Sequence, residues 1–413
     1  LTSEMANSET SHLYFTLSNR PQMVDSLFTA RPIEWRIPIG CDFSGFFVEV
    51  ALGFIPALRP VIAELYLLQT RCPDSFLGLL PSEEAEAYLG SQVADADRSV
   101  AETAASIVIE HGNPCLMRKF ERRPFHVVAR VMSEGLLPQD QLQCAAQADS
   151  LWVPTRWHAK LFAGQGVPTH KLHIVPEVVD TRLFKPTPPV RVGVDNAGGV
   201  QASFTFLSVF KWERRKGWDV LLSAYWREFQ RSEGTVLKLR TYKPSWEPGP
   251  DRIQDWLVGF ARRQMKTAMS ELPRVEVLPE LSRSDLAATY SRSDAFVLPS
   301  RGEGWCLPCM EAMASALPII VTNYSGPAAF INDENSFPLK MTSVDQYTLQ
   351  AEPSTAHLRR QMRHVFSHPA DAAAVGRRAR ADILERFSAE RVAGHVLDEL
   401  ERITAATPDS RRG

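Results

Sequence analysis

Short apolar runs alternate along this chain with longer segments whose apolar positions recur at helical spacing. That alternation predicts buried strands joined by crossover helices. In the first half the strands are expected at 34–39, 106–109, 125–128, 150–153 and 171–175, with helices over 47–58, 138–148 and 155–164. The second half predicts strands at 204–209, 236–241, 275–278, 295–298 and 319–322, with helices starting near Trp218, Arg283 and Pro308. A final helical region, 371–404, carries Val375, Ala379, Ile383, Val392, Val396 and Leu400 on apolar faces.

Punctuation divides the pattern. Residues 1–30 are rich in Ser, Thr and Asn without a sustained period, which reads as a tail. Residues 186–202 hold Pro186, Pro188, Pro189 and the turn from Asp195 to Gly199, which is linker composition. An α/β protein follows, with one unit over 31–185, a second over 203–370, and C-terminal helices over 371–405 that are expected to pack back toward the first unit.

The densest chemistry lies between Phe296 and Phe330, a strand, a glycine-bearing loop, a helix and a second strand. Pro308 suits the first turn of the helix, and Pro318 stops it. In such units ligands bind outside the carboxyl ends of the strands, where 301–307 and 323–326 fall. Free N–H groups near Leu307 to Met310 would favour an anion. Glu303 and Glu311, eight positions apart, can accept hydrogen bonds from a polyol. The same two acids could equally be a solvated loop residue and a complement to the helix dipole.

Other segments add to that picture. Lys211, Arg214, Arg215 and Lys216 precede a helix, where four cations oppose the dipole unless an anion sits there, or form a solvated turn. His111 closes a predicted strand, where it could donate to a sugar hydroxyl or be a structural histidine. The turn containing Ser44 and Gly45 permits close approach of backbone to ligand, or is an ordinary strand-to-helix connection.

Composition excludes several classes. A net charge of −2 over 413 residues gives no footing for nucleic acid, and no apolar run is long enough to span a bilayer. Six cysteines are too few for a disulfide scaffold, so a reducing, cytoplasmic setting is the default; the chain opens on Leu1, which leaves room for an upstream signal or anchor. Cys306 and Cys309 lack a second ligand pair for zinc. Asp95-Ala96-Asp97 reads as a solvated acidic turn, and the Asn323-Tyr324-Ser325 glycosylation pattern falls in the ligand loop, where a glycan would block the site.

Taken together, 33–403 resembles the glycosyltransferase family 4 enzymes. The stretch Glu303-Gly-Trp-Cys-Leu-Pro-Cys-Met-Glu311-Ala-Met-Ala is similar to that family's paired-glutamate signature, and 211–217 to its cation, four-residue gap, Lys-Gly motif. Asp149 to Thr155, Gly166-Val167 and Ile174 to Asp180 resemble the approach to its interdomain linker. Where the family has a small residue after the aromatic, this chain has Cys306.

The resemblance implies a GT-B fold of two Rossmann-like domains facing across a cleft. It implies a retaining, metal-independent transferase with no cofactor, using a nucleotide diphosphate sugar. By the same likeness Lys211 and Lys216 hold the diphosphate, Glu303 the transferred sugar, and Glu311 the ribose. The backbone of Gly304, Trp305, Cys306 and Leu307 meets the distal phosphate, as does the turn at Ser44 and Gly45, while Leu281 meets the base and His111 faces the sugar. Catalytic roles fall to His111, Glu303, Lys211 and Lys216. The acceptor, whether glycan, lipid, protein or small molecule, has no readable code. An inactive nucleotide-sugar-binding scaffold and an epimerase of the same fold are the alternatives.

Overall fold

The computed structural model describes residues 31–37, 45–62, 64–68, 72–91, 106–116, 123–187 and 204–406. The tail, Ser44, the Asp95-to-Asp97 turn and nearly all of the predicted linker lie outside the described residues.

Two six-stranded sheets form, parallel throughout. The first has the order β2-β1-β3-β4-β5-β6. Its strands are β1 (Ile33–Arg36), β2 (Leu65–Leu68), β3 (Ile107–His111), β4 (His126–Arg130), β5 (Ser150–Val153) and β6 (Leu172–Ile174). Its helical elements are α1 (Phe46–Glu49), α2 (Ile55–Leu58), α3 (Asp74–Leu77), α4 (Ser82–Ser91), α5 (Gln139–Ala145) and α6 (Arg156–Gly164). The helix expected over 47–58 is present, but Val50–Phe54 winds as a π turn between α1 and α2. Residues 65–68 and 82–91 carried no period that marked them as strand and helix. The first is a four-residue apolar run with no alternation, and the second is mostly polar.

The second sheet has the order β12-β11-β10-β7-β8-β9. It comprises β7 (Phe204–Lys211), β8 (Thr235–Tyr242), β9 (Arg274–Leu278), β10 (Ala295–Leu298), β11 (Ile319–Thr322) and β12 (Phe337–Leu339). Helices α7 (Trp218–Glu228), α8 (Ile253–Phe260), α9 (Arg283–Ser291) and α10 (Leu307–Ala314) link them. A hairpin, β13 (Met341–Val344) with β14 (Ala351–Pro353), precedes α11 (Thr355–Ser367), α12 (Pro369–Arg386) and α13 (Ala389–Ala406). Strand order reverses at the β7/β10 pair, so the crevice of a doubly wound sheet opens beyond the ends of those two strands.

The cores explain the placement of the terminal helices. Residues Ala372, Ala379 and Ile383 of α12 join the second-sheet core, whereas Val392, Val396, Leu397 and Leu400 of α13 join the core of the first sheet. Each of the Val, Leu and Ile side chains among them, fully buried, contributes roughly 1.5–3 kcal/mol of transfer free energy. Leu307 packs against both cores.

Cysteine usage departs from the sequence expectation. Cys115 pairs with Cys144, Cys306 with Cys309, and Cys72 is likewise disulfide-bonded. The count could not reveal this, because Cys115 and Cys144 lie 29 residues apart and meet only through the packing of α5 beside Pro114–Leu116. Among the described residues no helix is long and apolar enough to cross a membrane.

Candidate active site

The loops after β7 and β10 lock together. Gly217 adopts φ +71°, and a Cβ there would sit 1.9 Å from the carbonyl oxygen of Pro299, so only glycine allows this approach. Just before it, Lys216 Nζ donates to both oxygens of Glu303, at 2.9 and 2.7 Å. Arg301 braces the crossing. Its guanidinium grips Asp219 at 2.8 and 2.9 Å and Glu352 at 2.9 and 3.0 Å, and its backbone N–H donates to the carbonyl of Arg215.

Glu303 is buried, and burial alone would raise its pKa; the charges of Lys216 and Arg215 and the bond from Lys216 outweigh that and hold the carboxyl below its ordinary range. Its backbone N–H donates to Ser325 Oγ at 3.0 Å, and its carbonyl accepts from Gly326 at 3.0 Å, which ties the β10 loop to the β11 loop. In the sequence Ser325 falls within the predicted ligand loop 323–326 and the glycosylation pattern, without a role of its own.

Glu311 is the fifth residue of α10 rather than a member of its first turn, because the helix starts at Leu307 and Pro308 takes the second position. It accepts from Tyr290 Oη on α9 at 2.9 Å. Burial raises its pKa against the pull of Arg283. Arg283 begins α9, just past Leu281, which is half-buried. Its guanidinium lies 2.8 Å from Glu84 of the first sheet's α4 and 5.3 Å over the Phe184 ring.

At the head of α10, Trp305 is buried against Phe330 and Phe387, with ring centroids 5.2 and 5.5 Å away. Its indole Nε1 donates to the sulfur of Met310. Cys306 caps the helix at φ +92°, with its sulfur accepting the Cys309 N–H at 3.3 Å. The Cys306–Cys309 disulfide thus closes over one of the amides expected for phosphate.

The remaining predicted residues sit apart from this knot. Lys211 ends β7 with its ammonium 5.5 Å from the Trp246 ring, whose indole N–H donates to Glu213 Oε1 at 3.2 Å. Gly45 is exposed at φ +79°. His111 does end its strand, yet only 2% of it is exposed and its Nε2 lies 3.0 Å from Glu49 Oε2. Burial and then Arg130 push His111 down to about 3, while burial lifts Glu49 to about 7. Sequence reading missed Glu49, Tyr290 and Arg283, since each matters only through a partner distant in the chain. Arg215 was counted within a charge run without a role of its own.

Residues 262–382 match the family model for glycosyl transferases, group 1. No curated protein sequence matches the chain. Sucrose-phosphate synthase from Thermosynechococcus elongatus superposes with a TM-score of 0.64 at 16% identity, over 91% of this chain and 100% of that one. HepE of Anabaena, in complex with UDP and glucose, superposes with a TM-score of 0.66 at 14% identity, over 90% of this chain and 100% of its own. The fold is GT-B. Fold and family segment are both those of a glycosyltransferase. The glycosyl transferase segment contains Glu303, Glu311 and the cysteine pair, whereas Lys211 and Lys216 lie ahead of it.

Proposed function

We propose that this chain is a retaining, metal-independent glycosyltransferase that moves a sugar from a UDP-sugar to an acceptor hydroxyl. The observation that carries the reading is the Lys216–Glu303 pair at the reversal point of the second sheet, beside the head of α10 and the buried Glu311. The uridine is suggested by HepE, whose structures hold UDP, UDP with glucose, and UDP-glucose.

In the reaction the bond between the sugar's anomeric carbon and the diphosphate oxygen breaks. The acceptor oxygen bonds to the same face, and its proton passes to the departing phosphate. Lys211, Lys216 and the amides at the start of α10 stabilise the charge that develops on the diphosphate. Glu303 orients the sugar hydroxyls, Glu311 the ribose, and Leu281 borders the base. Closure of the cleft keeps water from competing as acceptor. His111, neutral, buried and held by Glu49, does not face the sugar as expected and is left a supporting place behind the first domain's wall of the cleft.

Incubation with a panel of UDP-sugars is expected to release UDP, slowly to water and faster with an acceptor. Lys216→Ala and Glu311→Ala should abolish release, and a chelator should leave it intact. Turnover undiminished by both substitutions overturns the site assignment, and loss to the chelator overturns metal independence. A second reading, an inactive nucleotide-sugar binder, is favoured by one observation: the sulfur of Cys306 already occupies the Cys309 amide. Calorimetry showing binding without product selects it.

The disulfides also lead us to propose an oxidising compartment for the chain, since cytosolic thiol systems keep such pairs reduced.

A further inference from the structure

Arg215 stands between the two domains. Its Nη1 donates to the carbonyl of Gly302 at 2.7 Å and lies 3.5 Å from Glu303 Oε2. Its Nη2 lies 3.1 Å from Glu213 and 3.2 Å from Glu134, which belongs to the first-domain loop after β4. One planar fork therefore touches three carboxylates, two from the donor domain and one from across the cleft.

The loop that brings Glu134 is stiff and pressed close. Ser133 Oγ donates to the carbonyl of Gly135 at 2.6 Å, and the Ser133 carbonyl lies 2.8 Å from His158 Nε2. Glycines on both sides let the domains touch. A Cβ on Gly304 would meet the Met132 side chain at 2.4 Å, one on Gly302 would lie 3.3 Å from the Glu134 carbonyl, and one on Gly135 would lie 2.9 Å from the Thr348 carbonyl. The cleft is shut along this seam, directly beside Glu303.

An ion pair as open as this one, with Glu134 46% exposed, adds little to folding stability, so its worth lies elsewhere. Without the guanidinium, Glu134, Glu213 and Glu303 would face one another with Lys216, among the described residues, the remaining ion-pair partner. Repulsion would then part the seam and swing Glu303 away from the sugar.

We infer that Arg215 is a positioning residue: by pairing with Glu134 across the cleft, it holds the closed seam and fixes Glu303, so that the sugar passes to the acceptor rather than to water. This inference rests on the transferase reading above. Arg215→Ala is expected to lower kcat for transfer about 100-fold, the cost of a roughly 1 Å misplacement, with donor KM changed far less. The ratio of donor hydrolysis to transfer should rise. Arg215→Lys should recover part of the loss. Glu134→Gln, isosteric at a half-exposed side chain, should raise the same ratio modestly. The double variant Arg215→Ala/Glu134→Gln should retain about 5-fold more transfer than the product of the single effects, since removing one acid relieves the repulsion.

Small-angle scattering of the ligand-free chain provides a readout without activity, with a larger radius of gyration expected for Arg215→Ala than for wild type and the double variant returning toward it. Multiplicative effects of the two changes, or scattering and hydrolysis ratio that match wild type in both single variants, would overturn the inference. Wild type that turns over no UDP-sugar would instead sink the transferase reading, and the scattering would still decide the seam.

Discussion

Lys216 and Glu303 are joined, Nζ to Oε2 at 2.7 Å. On the reading proposed above, the donor's diphosphate would share or replace that partner. The lysine would then have two separable duties, neutralising a buried carboxylate and binding phosphate.

Those duties can be parted by substitution. Lys216→Met leaves Glu303 buried and without its closest cation, which should destabilise the chain by roughly 3 kcal/mol. Adding Glu303→Gln should restore most of the lost melting temperature while UDP release remains absent. Thermal denaturation beside a UDP-release assay checks both; a double variant no more stable than the single one refutes the pairing as a structural element.

The His111–Glu49 pair gives a pH signature. Glu49, lifted from 4.5 to about 7 by burial, binds a proton in the folded chain that the unfolded chain has lost, so its contribution to stability falls as pH rises from about 4.5 to 7. His111, depressed from 6.5 to about 3, acts oppositely, and its contribution is lost as pH falls from about 6.5 toward 3. Glu49→Gln mimics the protonated acid. Melting temperatures of wild type and variant should converge near pH 4.5, with the variant gaining progressively up to pH 7; a constant gap across that window contradicts the assignment.

Thiol chemistry addresses the cysteines. In denaturant without reductant, maleimide should leave Cys115, Cys144, Cys306 and Cys309 unlabelled in protein from an oxidising compartment, and peptide mapping after reduction should find all four. Labelling of Cys306 or Cys309 before reduction would show that this pair is not disulfide-bonded in the isolated protein.

The second sheet was legible because its physics is local. Buried parallel strands are continuous apolar runs, and β10, α10 and β11 were marked off by Pro299, Pro308 and Pro318, so Glu303 and the Lys216–Gly217 turn were found where they lie. Elements without such contrast were missed. The hairpin β13–β14 is largely exposed on its first strand, and α8 follows a proline-rich turn that hides its start. Partnerships were harder still. Nothing near Glu49 in sequence announces His111, 62 residues away, and nothing near Tyr290 announces Glu311. Arg215 was visible as charge, but its partner Glu134 comes from the other sheet, and no periodicity encodes a contact between domains.

The return of α13 to the first core makes that domain discontinuous in sequence: its last helix is translated only after the whole donor domain has been made. The chain therefore crosses between the domains twice, the second time between α12 and α13. A fragment ending near Arg386 would lack the helix that packs on Val50–Phe54 and Ile55–Leu58, so one cut there opens the first domain's interior.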